Sequence, residues 1–400
     1  MPDTAPGMEE EQSTRAGSAR LDASTLWKLL AGNTLTMVGI GFFLPILPLM
    51  IKARGGNASV VGLVFAAGVV ARALVQYPGG WLADRAGRRP VIVGSVLLYG
   101  LIFPLYALPV SPTVLIAVRF IHALVAGAYS PAAAALLADL TRAEHRGRVF
   151  TRLRASDTLG LLIGPALGGL VASFRLEYVF FAGAILCLGA TALMLWLPRP
   201  PRRAVEEHRE QAPGVRPARL LLALLPVLLL TAPIFWTFGV YDTVWSLYMT
   251  SRGAPPFLVG ISFATYALPI VVFAGLGAGL TDRLGWVRAG TFSVLAFGVL
   301  ASAYPFITSV TALILLGVLE GALTATGQPA LTAEVSRRAP PGAQGRTQGL
   351  FQTGINAAEV VGAVAGGWLF QVQPAFAFLS ATAVCLLGAA ASALARRRVG

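Results

Sequence analysis

Charge is what this 400-residue chain has least of. Asp, Glu, Lys and Arg make up 12% of it, about half the share found in soluble domains. Mean hydropathy is +0.71. So few charges cannot cover a water-exposed surface, which excludes the two or three soluble domains that the length would otherwise fit. Cysteine is almost absent: Cys187 and Cys385 are the only two. They support neither a disulfide framework nor a metal site, and both read as small packing residues. Histidine occurs three times. No H-E-x-x-H, H-x-x-x-x-D or G-x-S-x-G stands in the chain, so neither an enzyme nor a bound metal or cofactor is expected. Lysine occurs twice against 29 arginines.

What is present in abundance is long apolar runs. Twelve have the length of about 20 residues that spans a bilayer as a helix. They cover 26–51, 59–83, 90–109, 112–138, 149–173, 176–197, 220–249, 256–281, 289–307, 310–334, 347–371 and 374–395. Glycine and proline fall inside them, as membrane helices tolerate. The first run is too long for a signal peptide and has no small-residue cleavage site after it.

The net charge of +13 is what a nucleic-acid-binding protein would carry, but the basic residues are placed for a membrane. With twelve spans and the N-terminus inside, Lys52, Arg54, Arg175 and Arg252 fall outside and Arg72 and Arg119 fall within spans. All the other basic residues face the cytoplasm. That is the positive-inside bias, and it predicts a multi-pass protein of the inner (cell) membrane with both termini cytoplasmic. A lipid bilayer is the expected surrounding, and nucleic acid is not an expected partner.

The chain also matches itself at an offset of 198 residues. Asp84-Arg85 falls on Asp282-Arg283, Gly87 on Gly285, and Pro131 on Pro329. Gly147-Arg148 falls on Gly345-Arg346. Gly164, Gly168 and Gly169 fall on Gly362, Gly366 and Gly367, and Cys187 falls on Cys385. The predicted organisation is a cytoplasmic tail over 1–25, six-helix bundles over 26–197 and 220–395, and a polar linker over 198–219 between them. Six spans return the chain to the side it came from, so the copies have parallel sense. They are related by an axis along the membrane normal, and their interface is the expected substrate site.

Three motifs carry a family resemblance. The loop after span 2 reads GGWLADRAGRRP, Gly79 to Pro90. It resembles the signature of the major facilitator superfamily at Gly80, Leu82, Asp84, Arg85, Gly87, Arg88 and Arg89. The paired glycines 79 and 80 would let helix 2 approach a neighbour closely. In that family the motif is a conformational latch. The second copy keeps Asp282 and Arg283 but has Trp286-Val287 at the double-arginine position, which implies a weaker latch. Span 5 holds Gly160, Gly164, Pro165, Gly168 and Gly169, which resembles the motif of the superfamily's drug:proton antiporters. A bent packing helix is the other reading. Span 4 resembles an arginine motif of the family at Leu115 and Arg119, with His122 and Ala123 in place of its Gln and Gly. The resemblance covers 26–395 and implies an all-α fold of twelve transmembrane helices in two pseudo-symmetric six-helix bundles.

Each ionisable group held inside a bilayer costs about 2.5–3.5 kcal/mol or more, so each invites a functional reading. Glu320 in span 10 is the first candidate for proton coupling, with an ion pair to Arg119 or Arg72 as the alternative. It is the repeat mate of His122. Asp157 either takes a proton or pairs with Arg152 or Arg154. Glu359 has Asn356 as its polar neighbour and is expected in the cavity. Arg119 and His122 complete the coupling candidates. Arg72 would compensate a carboxylate or bind an anion. Trp236 and Tyr241 in span 7 would stack on a ligand or belong to the interfacial belt.

The resemblance implies a monomeric, proton-coupled secondary transporter that exports lipophilic or cationic small molecules by alternating access. A transporter of a sugar, organic acid or siderophore, or a non-transporting membrane sensor, are the alternatives.

Overall fold

A computed structural model describes residues 22–198, 217–340 and 343–399. Most of the expected tail and linker therefore lies outside the described residues. The described chain contains twelve helices long and apolar enough to cross a membrane. They are α1 (Ala23–Ala53), α2 (Ala58–Gln76, continuing as helix to Ala86), α3 (Arg88–Tyr106), α4 (Pro112–Leu140), α5 (Arg146–Ala172) and α6 (Leu176–Met194). The second six are α7 (Ala218–Ser251), α8 (Pro256–Phe273), α9 (Leu284–Phe306), α10 (Val310–Arg337), α11 (Gln344–Val372) and α12 (Pro374–Arg396). No strand occurs among the described residues, and the all-α expectation holds.

The helix starts follow from local chemistry. Asp22 accepts from the Thr25 amide at 2.8 Å and Asn57 from the Val60 amide at 3.1 Å, so each caps the helix it precedes. Four of the described residues have positive φ, all glycine: Gly55 (79°), Gly87 (97°), Gly253 (84°) and Gly285 (74°). They form two pairs at the 198-residue offset. The tight turn after α1 recurs after α7, and the turn between α2 and α3 recurs as a kink at Gly285, in the first turn of α9. A side chain would be strained at each.

Packing within a bundle rests on missing side chains. Gly160 and Gly164 bring α5 against α1, where an added Cβ would lie 2.8 Å and 2.7 Å from the carbonyl oxygens of Thr34 and Val38. Gly168 meets the Phe42 carbonyl in the same row. The second bundle repeats this, with Gly362 of α11 set against the Trp236 carbonyl of α7. Both cysteines are buried packing residues. Cys187 covers Gly100, and Cys385 covers Gly298. Gly79 makes the close approach expected of it, with an added Cβ 2.8 Å from Ala128 Cα. Gly80 does not: nothing lies within 4 Å of where its Cβ would be.

The symmetry extends to contacts between the bundles. Gly62 of α2 lies under the Ala363 carbonyl of α11, and its repeat mate Gly260 of α8 lies under the Pro165 carbonyl of α5. Gly169 faces the Pro256 carbonyl, with an added Cβ at 2.6 Å, and Gly367 faces the Ala58 carbonyl. All four contacts lie at the ends of α2, α5, α8 and α11 opposite the termini. Ser59 adds a hydrogen bond to Gln371 Oε1 there. The face distal to the termini is therefore where the bundles close. Toward the terminal face, Gln76, Ser130 and Leu161 remain exposed along a cavity of about 600 Å³.

Candidate substrate and coupling site

Each bundle builds an aromatic box around one ionisable residue of its fourth helix. In the first, His122 is fully buried and stacks on Tyr99 with ring centroids 3.7 Å apart. Its Nδ1 lies 3.2 Å from the Tyr106 hydroxyl and its Nε2 3.0 Å from the Tyr99 carbonyl. In the second, Glu320 is 1% exposed. Tyr241 donates to its Oε1 at 2.9 Å and Tyr304 to its Oε2 at 2.8 Å. Tyr106 and Tyr304 are repeat mates, so one tyrosine position serves a histidine in one half and a glutamate in the other.

The two boxes differ in what they offer a ligand. His122 is enclosed by Phe43, Phe103 and Tyr106. Glu320 lines a cavity of about 120 Å³, together with Phe238, Tyr241, Asp242, Trp245 and Tyr266. The expected alternative of an ion pair for Glu320 is not what the structure builds. Arg72 pairs with Glu359, with Nη2 and Oε1 3.5 Å apart. Arg119 is buried with its guanidinium 4.9 Å over the Phe43 ring, and its Nε has no hydrogen-bond partner. Glu320 thus has two phenol donors and no cation, and those hydrogen bonds alone offset the desolvation of its charged form.

Arg72 also lines the 600 Å³ cavity of the first bundle with Gln76, Tyr99 and Tyr129. Its partner Glu359 belongs to the second bundle, so the pair bridges the two halves. Asp242 on α7 lies in the electrostatic field of Glu359 and Arg72 as well as on the Glu320 cavity. A count of residues from the span end sets Asp242 nearer the outer end of its helix, and depth alone does not tell which way it faces. The fold brings it in, because α7 turns that face inward. Asp157 pairs with Arg154 at 3.4 Å, as the three-residue spacing allows. It also accepts from Asn33 at 2.7 Å. Asn33 in turn donates to Ser156 and accepts from Tyr129. That network was not legible, because Asn33 and Tyr129 come from α1 and α4.

Two expected cavity residues hydrogen-bond to other side chains. Trp236 donates from Nε1 to Ser380 Oγ on α12 at 3.5 Å and is not part of the Glu320 cavity. Asn356 accepts from Gln352 one turn away on α11. Tyr241 lines the Glu320 cavity. No group of metal-ligating side chains occurs among the described residues.

The Major Facilitator Superfamily model matches residues 29–250 and 227–399. The chain belongs to this superfamily. It is 23% identical over 378 residues to multidrug resistance protein 2 of Bacillus subtilis (strain 168), covering 92% of this chain and 94% of that protein. It is 25% identical over 373 residues to the quinolone resistance protein NorA of Staphylococcus aureus (strain MRSA252), covering 88% and 92%. Among solved structures, the nucleoside transporter NupG superposes with a TM-score of 0.79 at 14% identity, covering 93% of this chain and 99% of that one. A bacterial homologue of the human lysosomal transporter Spinster, in an inward-facing and occupied conformation, gives 0.75 at 16% identity, covering 93% and 96%. This chain is therefore a multi-pass membrane transporter of the major facilitator fold.

The superfamily's signature loop is tied within its own bundle. Arg88 bonds Asp84 one turn back and reaches Asp139 Oδ2 at the end of α4 at 3.4 Å. Arg89 donates to the Leu195 carbonyl after α6, and Arg85 lies 4.3 Å over the Trp81 ring. In the second bundle the side chains of Asp282 and Arg283 lie outside the described residues. Trp286, the repeat mate of Arg88, takes a different role. Arg338 and Arg396 lie 5.0 Å and 5.9 Å over its ring, and Arg338 also bonds the Ala223 carbonyl at 2.6 Å. Where the first copy has its double arginine, the second has an aromatic ring in contact with two arginines from elsewhere in the bundle. In the span-5 motif, Gly160, Gly164 and Gly168 face α1, Pro165 lies inside the helix, and Gly169 faces α8 of the other bundle. The motif joins the halves at the closed face.

Proposed function

We propose that this protein exports lipophilic or cationic small molecules across the cell membrane in exchange for protons. The observation that carries the reading is Glu320, buried on the aromatic cavity and held by Tyr241 and Tyr304 with no cation beside it. The cavity walled by Phe238, Trp245 and Tyr266 has room for about one aromatic ring of a flat apolar molecule, and a positive charge on it would find Asp242 and Glu320. The names of the multidrug and quinolone resistance relatives agree with that chemistry.

In this reading the structure is the state open to the cytoplasm, with both termini on that side as the arginine placement predicts. Substrate enters and meets the carboxylates. The bundles then rock about the glycine contacts, closing the inner mouth and opening the outer one. A proton arriving from outside neutralises Glu320, the substrate leaves, and the reverse movement carries the proton in. Asp84, Arg88 and Arg89 bias that equilibrium as a latch. Asp157 and Glu359, paired with Arg154 and Arg72, act as secondary proton carriers, while Arg119 and His122 hold the first box in place. The protein works as a monomer.

The test is proton-gradient-driven flux of a lipophilic cationic dye in sealed vesicles. Glu320→Gln should abolish the gradient-driven component with expression unchanged. Unaltered coupling in that variant would refute the role given to Glu320.

One observation favours a second reading. The Arg72 side chain is 47% exposed on the larger cavity, so a carboxylate-bearing metabolite could bind there in place of Glu359. Uptake or export of organic anions that Arg72→Gln removes, with no flux of cationic dyes, would establish it.

A further inference from the structure

A second large cleft lies outside the transport path described above, at the terminal ends of α1, α4 and α5. Its volume is about 850 Å³. Arg142, His145, Arg148 and Arg152 line it. His145, Arg148 and Arg152 recur at spacings of three and four, so they share one face of the chain entering α5. None of the four forms an ion pair with a described residue. The one acid on the cleft is Asp22, and its carboxylate is engaged in capping α1. Like charges four residues apart repel, and Asp22 is the one carboxylate set against four basic residues on the described lining.

The opposite wall is apolar. Leu26, Leu30 and Trp27 of α1 face the cleft, and Trp27 is 69% exposed. Tryptophan at a helix end marks the depth of the lipid headgroups. The cleft therefore combines three uncompensated guanidinium groups with an aliphatic wall at the level where two helices leave the bilayer. We infer that it binds an acidic phospholipid, with the phosphate on Arg142, Arg148 and Arg152 and an acyl chain along Leu26, Trp27 and Leu30. Basic pockets between membrane helices on the cytoplasmic side suit anionic headgroups, and the membrane itself supplies the ligand. The inference stands apart from the transport reading and needs only that the protein sits in a bilayer.

The test uses the full-length protein in nanodiscs of phosphatidylcholine alone or mixed with phosphatidylglycerol. Retained phosphatidylglycerol is counted by mass spectrometry of the intact protein after detergent exchange, and the thermal midpoint is read in both lipids. Phosphatidylglycerol should be retained and should raise the midpoint. Arg148→Gln with Arg152→Gln should weaken retention by roughly 30-fold, about five-fold for each side chain. Both side chains are exposed, so the double variant should still fold. Arg54→Gln, on the distal face, should leave retention unchanged. Three results would overturn the proposal: retention by the double variant, equal stabilisation by inorganic phosphate in phosphatidylcholine, or retention that appears only after residues 1–20, with their run Glu9 to Glu11, are deleted.

Discussion

Arg72 of α2 and Glu359 of α11 form the only ion pair among the described residues that joins the two bundles. Their repeat mates are Ile270 and Leu161, so the pseudo-equivalent interface between α5 and α8 has no such charge. The two closing seams therefore share a glycine-on-carbonyl frame and differ in one electrostatic contact. Glu359 is the more enclosed partner, with a side chain 14% exposed against 47% for Arg72.

That difference predicts unequal costs. Arg72→Gln leaves a largely enclosed carboxylate without its cation, whereas Glu359→Gln leaves a half-exposed guanidinium that water can serve. Pairs with one exposed partner contribute on the order of 1 kcal/mol or less, and stranding an enclosed charge costs more. Thermal unfolding in detergent should show the larger midpoint loss for Arg72→Gln. The exchange Arg72→Glu with Glu359→Arg should recover part of it.

The glycine frame predicts a symmetric response. Gly62→Val and Gly260→Val each push a side chain into a carbonyl of the opposite bundle. Overpacking of this kind costs about 1–3 kcal/mol, enough to shift a two-state equilibrium by roughly five-fold to a hundred-fold. Spin-label distances across the distal mouth should lengthen in both variants by a similar amount. Gly80→Ala, which meets nothing, should leave the distribution unchanged. A response in one seam only would refute the equivalence.

The two phenol donors on Glu320 should act as a unit. Removing one hydrogen bond from a charged group costs about 1.5–3 kcal/mol. Tyr241→Phe and Tyr304→Phe should each reduce gradient-driven flux, and the double variant should lose more than their sum. In a Glu320→Gln background the same two substitutions should change little. That coupling is read from a double-mutant cycle, and additivity in the native background would refute it.

The second-half clamp is testable through Trp286. Trp286→Ala removes the ring beneath Arg338 and Arg396, and each contact is worth about 0.5–1 kcal/mol at an exposed site. The thermal midpoint should fall, with distal distances unaltered. Asp84→Asn should do the reverse. It frees Arg88 from α2 and should redistribute the distances across the cavity mouths with a small change in midpoint.

Much of the fold was legible because the medium dictates it. Backbone groups in hydrocarbon must bond within a helix, so twelve apolar runs became twelve helices with ends shifted by a few residues. Gly87 and Gly285 stood out in the sequence as a matched pair, and the structure adds that both hold a backbone conformation that side chains resist. The candidate site was legible in part. Intramembrane charge and aromatics singled out Glu320, Tyr241, Arg72 and Glu359, of which the first two line one cavity and the last two form an ion pair. Trp236 and Tyr241 are five residues apart on one helix, a separation of more than a full turn. Their side chains leave it in different directions, so one reaches α12 and the other the cavity. Asp242, Tyr304, Asn33 and Tyr129 were missed because their partners are remote in the chain.

The sequence alone determined the membrane, the twelve helices, the duplication and the superfamily, since each depends on composition, period or fixed spacing. The tertiary structure decided which charges meet, which face is closed, and that one tyrosine position serves His122 in one half and Glu320 in the other. Those depend on how helices rotate and pack against distant neighbours, and no local pattern along the chain encodes that rotation.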